Sequence, residues 1–142
     1  MTLAEPAPWL LLTAGVHLGF QVLVDLVVYP ALGEVGPEGW SSAHAAHSRR
    51  IAPVVGAVYL PLVAVLGWSV VAEPGAVGGW VAMAGGVLAM TTTAAVAAPA
   101  HGRLADAAEP ERAALLRRLM VADRVRTAGA ALCVVGAVLL VA

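Results

Sequence analysis

The sequence predicts an all-α fold, a bundle of four transmembrane helices built as two helical hairpins with the N and C termini outside. Three observations predict it. Hydrophobic residues make up 61% of the 142-residue chain and charged residues only 12%, whereas a water-solvated domain carries about 25% charged residues. The apolar residues fall into four runs, each near the roughly 20 residues that a bilayer core requires. The basic residues collect beside the first and third connections. Four spans take up about 80 residues, so residues 1–142 are expected to form a single membrane domain.

The first span is expected over residues 9–32. No basic residue precedes it, and it carries His17, Gln21 and Asp25, so it reads as a retained helix rather than a secretory signal. Residues 33–36 break the chain at two glycines, and Pro37 suits the first turn of the next helix. That helix starts polar and becomes an apolar span at 51–72. Pro53 and Pro61 are expected to bend it, because each removes a backbone donor. A turn at 72–79 leads to the third span, 80–100. A loop at 105–109 precedes Pro110, which opens the fourth helix. The apolar part of that helix is short. The span therefore reaches back to Leu119, over 119–142, and draws Asp123, Arg124 and Arg126 toward the membrane.

Charge gives an orientation. The chain has no lysine, and its basic residues are Arg49, Arg50, Arg103, Arg112, Arg117, Arg118, Arg124 and Arg126. By the positive-inside rule the first and third connections are expected in the cytoplasm of a multi-pass cell-membrane protein. Trp9, Trp68 and Trp80 then fall at the outer interface and Trp40 at the inner one. Arg103, Arg112, Arg117 and Arg118 read as interfacial anchors, and Tyr59 as a packing residue of the second span. Gly15 and Gly19 form a GxxxG pair, which predicts close helix contact there. The single cysteine, Cys133, excludes an intrachain disulfide. No phosphate-binding glycine loop and no basic, aromatic-laced patch is present, so no nucleic-acid partner is expected.

Ionisable groups inside a span cost about 2.5–3.5 kcal/mol each on insertion scales, and they persist where they pair or line a wet cavity. His17, Gln21 and Asp25 recur every four residues and share one face of the first helix. His44 and His47 form an HxxH pair on one face of the second. Counting outward from the first turn sets Asp25 level with His44 and Gln21 level with His47. His101 lies near the same end of the third helix, and Asp123, Arg126 and Thr127 share a face of the fourth. These positions predict one polar pocket open to the cytoplasm.

Imidazoles at helical i, i+3 spacing resemble the metal ligands of four-helix bundles. His17, His44, His47 and His101 are therefore candidate ligands of a transition metal, non-haem copper or iron, with haem as the alternative cofactor. Equally, His44 and His47 could coat an interfacial surface, and His17 could make one interhelical hydrogen bond. Asp25 is expected to pair with Arg124 or Arg126. In a catalytic reading Asp25 and Arg126 act at the substrate, and Gln21 and Arg124 help to hold cofactor or substrate.

The order of these residues resembles small bacterial four-helix membrane proteins that share a layout with anthrone-oxygenase-like proteins. The matching pieces are H-x-G-F-Q at 17–21, Y-P at 29–30, W-x-x-x-H-x-x-H at 40–47, P-x-H-x-x-L at 99–104 and R-T at 126–127. They touch all four helices. This chain departs from the N-W-x-R-T pattern of that layout, because Asp123 and Arg124 stand where an amide and an indole are expected. The resemblance implies an oxygenase for lipophilic aromatic or polyketide-like substrates. Three functions follow as expectations: a metal-dependent membrane oxidoreductase or oxygenase, a non-catalytic binding or transport subunit for haem, quinone or an ion, and a structural assembly protein. The expected partners are the lipid bilayer, a lipophilic small molecule and further copies of the chain.

Overall fold

A computed structural model describes residues 2–142, which form helices and short connections with no strand. Four helices are each long and apolar enough to cross a membrane: α1 (Pro6–Gly33), α2 (Pro37–Ala72), α3 (Val77–Leu104) and α4 (Glu111–Val141). Prolines mark three of the starts. Pro6 and Pro37 occupy first-turn positions, where the missing N–H has no intrahelical partner to lose, and Pro110 stands just before α4. The helices outrun the predicted spans, most of all in α2, whose polar segment 37–50 is continuous with its apolar part. Helix α2 also stays helical through Pro53 and Pro61.

Two other prolines reshape their helices. Helix α1 widens into a π-helical turn over Val24–Val28, and α3 does the same over Thr93–Ala97. Each turn ends two residues before a proline, Pro30 and Pro99. A proline strains the ordinary helical register, because its ring meets the carbonyl four residues back. One extra residue in the preceding turn relieves that conflict. The Tyr29 and Ala98 N–H groups accordingly donate to the carbonyls five residues back, at Val24 and Thr93.

The inserted residue changes which side chains face inward. Val24 and Tyr29 are both buried although five residues apart, a spacing that an α-helix would place on different faces. Asp25 loses the inward position that a four-residue repeat assigns to it, and it is only half-buried.

Helices α3 and α4 pack closely along a seam of small residues. The buried positions of α4 include Arg112, Leu115, Leu119, Ala122, Arg126, Gly129, Cys133 and Gly136, which alternate steps of three and four. That 3.5-residue period is the signature of a coiled-coil seam. Facing it on α3 are Gly78, Ala82, Gly85 and Ala89. A side chain at Gly85 would meet the Cys133 nitrogen and the Gly129 carbonyl 2.5 Å away, and one at Gly136 would collide with Ala82 and Gly78 backbone. The expected contact at Gly15 and Gly19 is not made: both are exposed with open space beside them. The tightest packing lies instead between the helices of the second hairpin.

Two apolar clusters form the core. One contains Tyr29, Leu32, Trp40, Leu104, Leu115 and Leu119, near the first and third connections. The other contains Leu10, Ala14, Leu62, Leu66, Cys133 and Ala137, toward the opposite end. Between them lie the buried polar residues His17, Gln21, Asp123 and Arg126. Trp9, Trp68 and Trp80 are exposed at the end of the bundle that holds the second cluster.

Candidate functional site

The polar layer begins with an ion pair inside α4. Arg126 binds Asp123 three residues earlier, with both side chains buried. The same Arg126 nitrogen, Nη2, also donates to Gln21 Oε1 at 3.1 Å. This fixes the Gln21 amide, whose Nε2 donates to the Tyr59 hydroxyl at 2.9 Å. Tyr59 lies 3.3 Å from Thr93 Oγ1, and Thr93 in turn donates to the Ala89 carbonyl. Thr93 has spent its proton, so Tyr59 is the donor of the pair. A single directed chain therefore runs from Arg126 through Gln21 and Tyr59 to Thr93, and it ties all four helices together.

This chain corrects two expectations. Arg126 pairs with Asp123 rather than Asp25, because the π-helical turn moves Asp25 off the inward face; Asp25 has no hydrogen-bond or ion-pair partner among the described residues. Arg124 is exposed, since the inward positions of α4 fall at 122, 123 and 126. Gln21 faces Tyr59 rather than His47. Twelve residues separate those two on α2, about 18 Å of helix. The reason is the course of the first part of α2, which crosses toward α3 and α4 instead of running back along α1. The Trp40 indole N–H donates to the Leu104 carbonyl at 2.9 Å, and the Arg112 guanidinium lies 4.8 Å from the Trp40 ring.

That crossing brings three histidines together. His44 Nε2 stands 3.2 Å from His101 Nδ1, and the His47 ring lies 5.3 Å from the His101 ring. Trp40 stacks on His44 at 5.5 Å with the ring planes 22° apart. The Arg112 guanidinium lies over the same indole and is itself held by Glu109 at 2.7 Å. Trp40 and Arg112 thus position His44, although both read as interface residues in the sequence. The signal for Trp40 was its four-residue step to His44; Arg112, on another helix, had none.

His17 does not join this trio. It is fully buried, meets Tyr59 edge-on at 4.7 Å, and neither ring nitrogen has a hydrogen-bond partner. Among the described residues, no group of three or more His, Cys, Asp or Glu side chains stands ready to hold a metal ion. The four-imidazole centre expected from the sequence is therefore reduced to a close pair, His44 and His101, with His47 beside it.

The trio lines a chamber of about 570 Å³, within the range of small-molecule sites. Its walls include Phe20, Val24, Ile51, Val55 and Ala97, and Tyr59, Thr93 and Arg126 supply polar groups. The two π-helical turns both border it, through Val24 and through Thr93 and Ala97, and such turns often shape functional sites. Chemically, the chamber offers imidazoles that can exchange protons or bind a metal, a guanidinium and hydroxyls for an oxygen acceptor, and apolar walls for a hydrocarbon body. No protein-family model, curated protein or solved structure matches the chain.

Proposed function

We propose that the chain is a membrane oxidoreductase or oxygenase that takes a lipophilic small molecule into the chamber and acts on it with a metal held by His44, His101 and His47. The observation that carries this reading is the 3.2 Å separation of His44 Nε2 and His101 Nδ1 on the chamber wall. Two nitrogens bound to one tetrahedral ion at about 2.0–2.1 Å stand about 3.3 Å apart. The His47 ring, 5.3 Å from that of His101, is the candidate third ligand. Imidazole donors suit copper and iron. When bound, the metal supplies the redox chemistry; the residues of the chain bind and orient the substrate. Arg126, Tyr59 and Thr93 receive its oxygen-bearing end, and the apolar walls exclude water.

Substrate arrives sideways from the bilayer in this reading. His47 and Ile51 line both the chamber and a second groove of about 430 Å³, which also involves Val28 of α1 and Arg50 and Val54 of α2. They form the partition between the two spaces. The first and third connections face the cytoplasm, which leaves both termini outside. The layout shared with anthrone-oxygenase-like proteins supports the same substrate class.

Metal analysis of protein purified in mild detergent tests the proposal. About one copper or iron per chain is expected, falling at least tenfold in His44→Ala and His101→Ala and unchanged in His17→Ala. Absence of metal after loading with either ion would remove the catalytic reading.

A second reading is favoured because no three-ligand group stands ready among the described residues. In it the chamber binds a quinone or another lipophile without chemistry. Haem between His44 and His101 would fit less well, because the two imidazoles touch at 3.2 Å and leave no gap for a flat macrocycle. An intense visible absorption band in the purified protein would reverse that preference.

A further inference from the structure

We propose that the outer groove between α3 and α4 binds one anionic phospholipid, with its phosphate between Arg117 and Arg118 and an acyl chain along Val96, Val121 and Val125. The groove has a volume of about 580 Å³ and shares no residue with the chamber. Its origin is local. The glycine seam holds α3 and α4 together as far as Ala89 and Gly129. Beyond it the π-helical turn Thr93–Ala97 widens α3, and α4 presents the small Ala122 at this level. The helices stay packed on their inner side and leave a space between them that faces outward.

Charge selects the occupant. Arg103, Arg112 and Arg126 each hold a carboxylate. Arg117 and Arg118 are exposed at the edge of the groove and have no ion-pair partner among the described residues. Two adjacent guanidiniums offer forked donors that match phosphate oxygens. The Thr92 hydroxyl is bonded to the Leu88 carbonyl, so it offers its proton elsewhere. Val121 and Val125 lie about 6 and 12 Å along the helix from Arg117, and both are exposed. Within the lining, charge at one end and exposed apolar side chains in line behind it, with the exposed Arg124 outside the lining, follow the order of headgroup and acyl chain within a leaflet. Basic pockets between transmembrane helices recognise anionic headgroups in this way. Inorganic phosphate would use the arginines and leave the valines uncovered.

Native mass spectrometry of the detergent-purified chain tests the site. The sample is offered phosphatidylglycerol and phosphatidylcholine of identical acyl chains. Phosphatidylglycerol should be retained in preference by at least about fivefold. The Arg117→Gln/Arg118→Gln double variant should lose that preference, and the Arg49→Gln/Arg50→Gln variant should keep it. Val125→Trp should lower retention of both lipids by filling the groove, with helicity by circular dichroism unchanged in every variant. Equal retention of the two lipids by the parent chain would overturn the proposal. So would equal loss in the two arginine variants, which marks a diffuse basic surface, or displacement of the lipid by millimolar inorganic phosphate, which marks a free-phosphate site.

Discussion

Removing the Asp123 carboxylate would leave the Arg126 charge buried with Gln21 as its remaining acceptor. Breaking a buried ion pair from one side costs about 3–5 kcal/mol. Asp123→Ala should therefore lower the thermal unfolding temperature in detergent far more than Arg124→Ala, whose side chain is exposed. Equal shifts would contradict the assignment of Asp123 as the partner. Tyr59→Phe removes both an acceptor for Gln21 and a donor to Thr93. It should cost about 1–3 kcal/mol, the penalty for leaving a buried polar group unpaired, measured by the same unfolding assay. At this scale the sequence was legible in part. The HxxH step brought out His44 and His47, and the place of His101 near a helix end suggested the third ring. Tyr59, Trp40 and Arg112 were misread, because an aromatic ring or an arginine near a connection has the same pattern whether it meets lipid or the interior. Asp25 was overvalued because no periodicity reveals an inserted residue before it is seen.

Among the elements, the seam between α3 and α4 makes the firmest demand on sequence. Backbone atoms fill the space where a side chain at Gly85 or Gly136 would stand. Backbone cannot swing aside as a side chain can. Gly85→Val and Gly136→Val should each destabilise the bundle by about 1–3 kcal/mol or more, and Gly15→Val should change stability little. Thermal melts of the three variants in one detergent check the ranking. The heptad spacing of small residues on α4 was present in the sequence, yet the compact GxxxG of α1 drew the prediction to the wrong helix. The π-helical turns were less legible still. Prolines occur in α2 without such a turn, so Pro30 and Pro99 alone do not announce one. Their effect is nevertheless functional geometry, since both turns border the chamber.

The whole molecule is a four-helix membrane bundle in which a hydrogen-bonded polar layer separates two apolar cores. The fold class was readable from composition and run length because lipid leaves few ways to satisfy a backbone. Interhelix register was readable only where the helices run straight back along each other. In the second hairpin, Gly85 meets Gly129 and Cys133, near equal distance from the turn. In the first, the start of α2 lies against α3 rather than along α1, and equal-depth counting fails. Orientation has its own check. A reporter active only outside the cytoplasm, fused after Ala142, should be active; activity of a strictly cytoplasmic reporter there would reverse the proposed topology.

Convergence of His44 and His101 on one wall is the geometric basis for everything proposed about chemistry. In a Cys133→Ala background, the double substitution His44→Cys/His101→Cys can be treated with a short bifunctional thiol reagent in native membranes. The account predicts a rapid intramolecular link, seen as a shift in gel mobility of the single chain. Thiols that each react with a monofunctional reagent but never link to one another would show that the two side chains do not share a chamber.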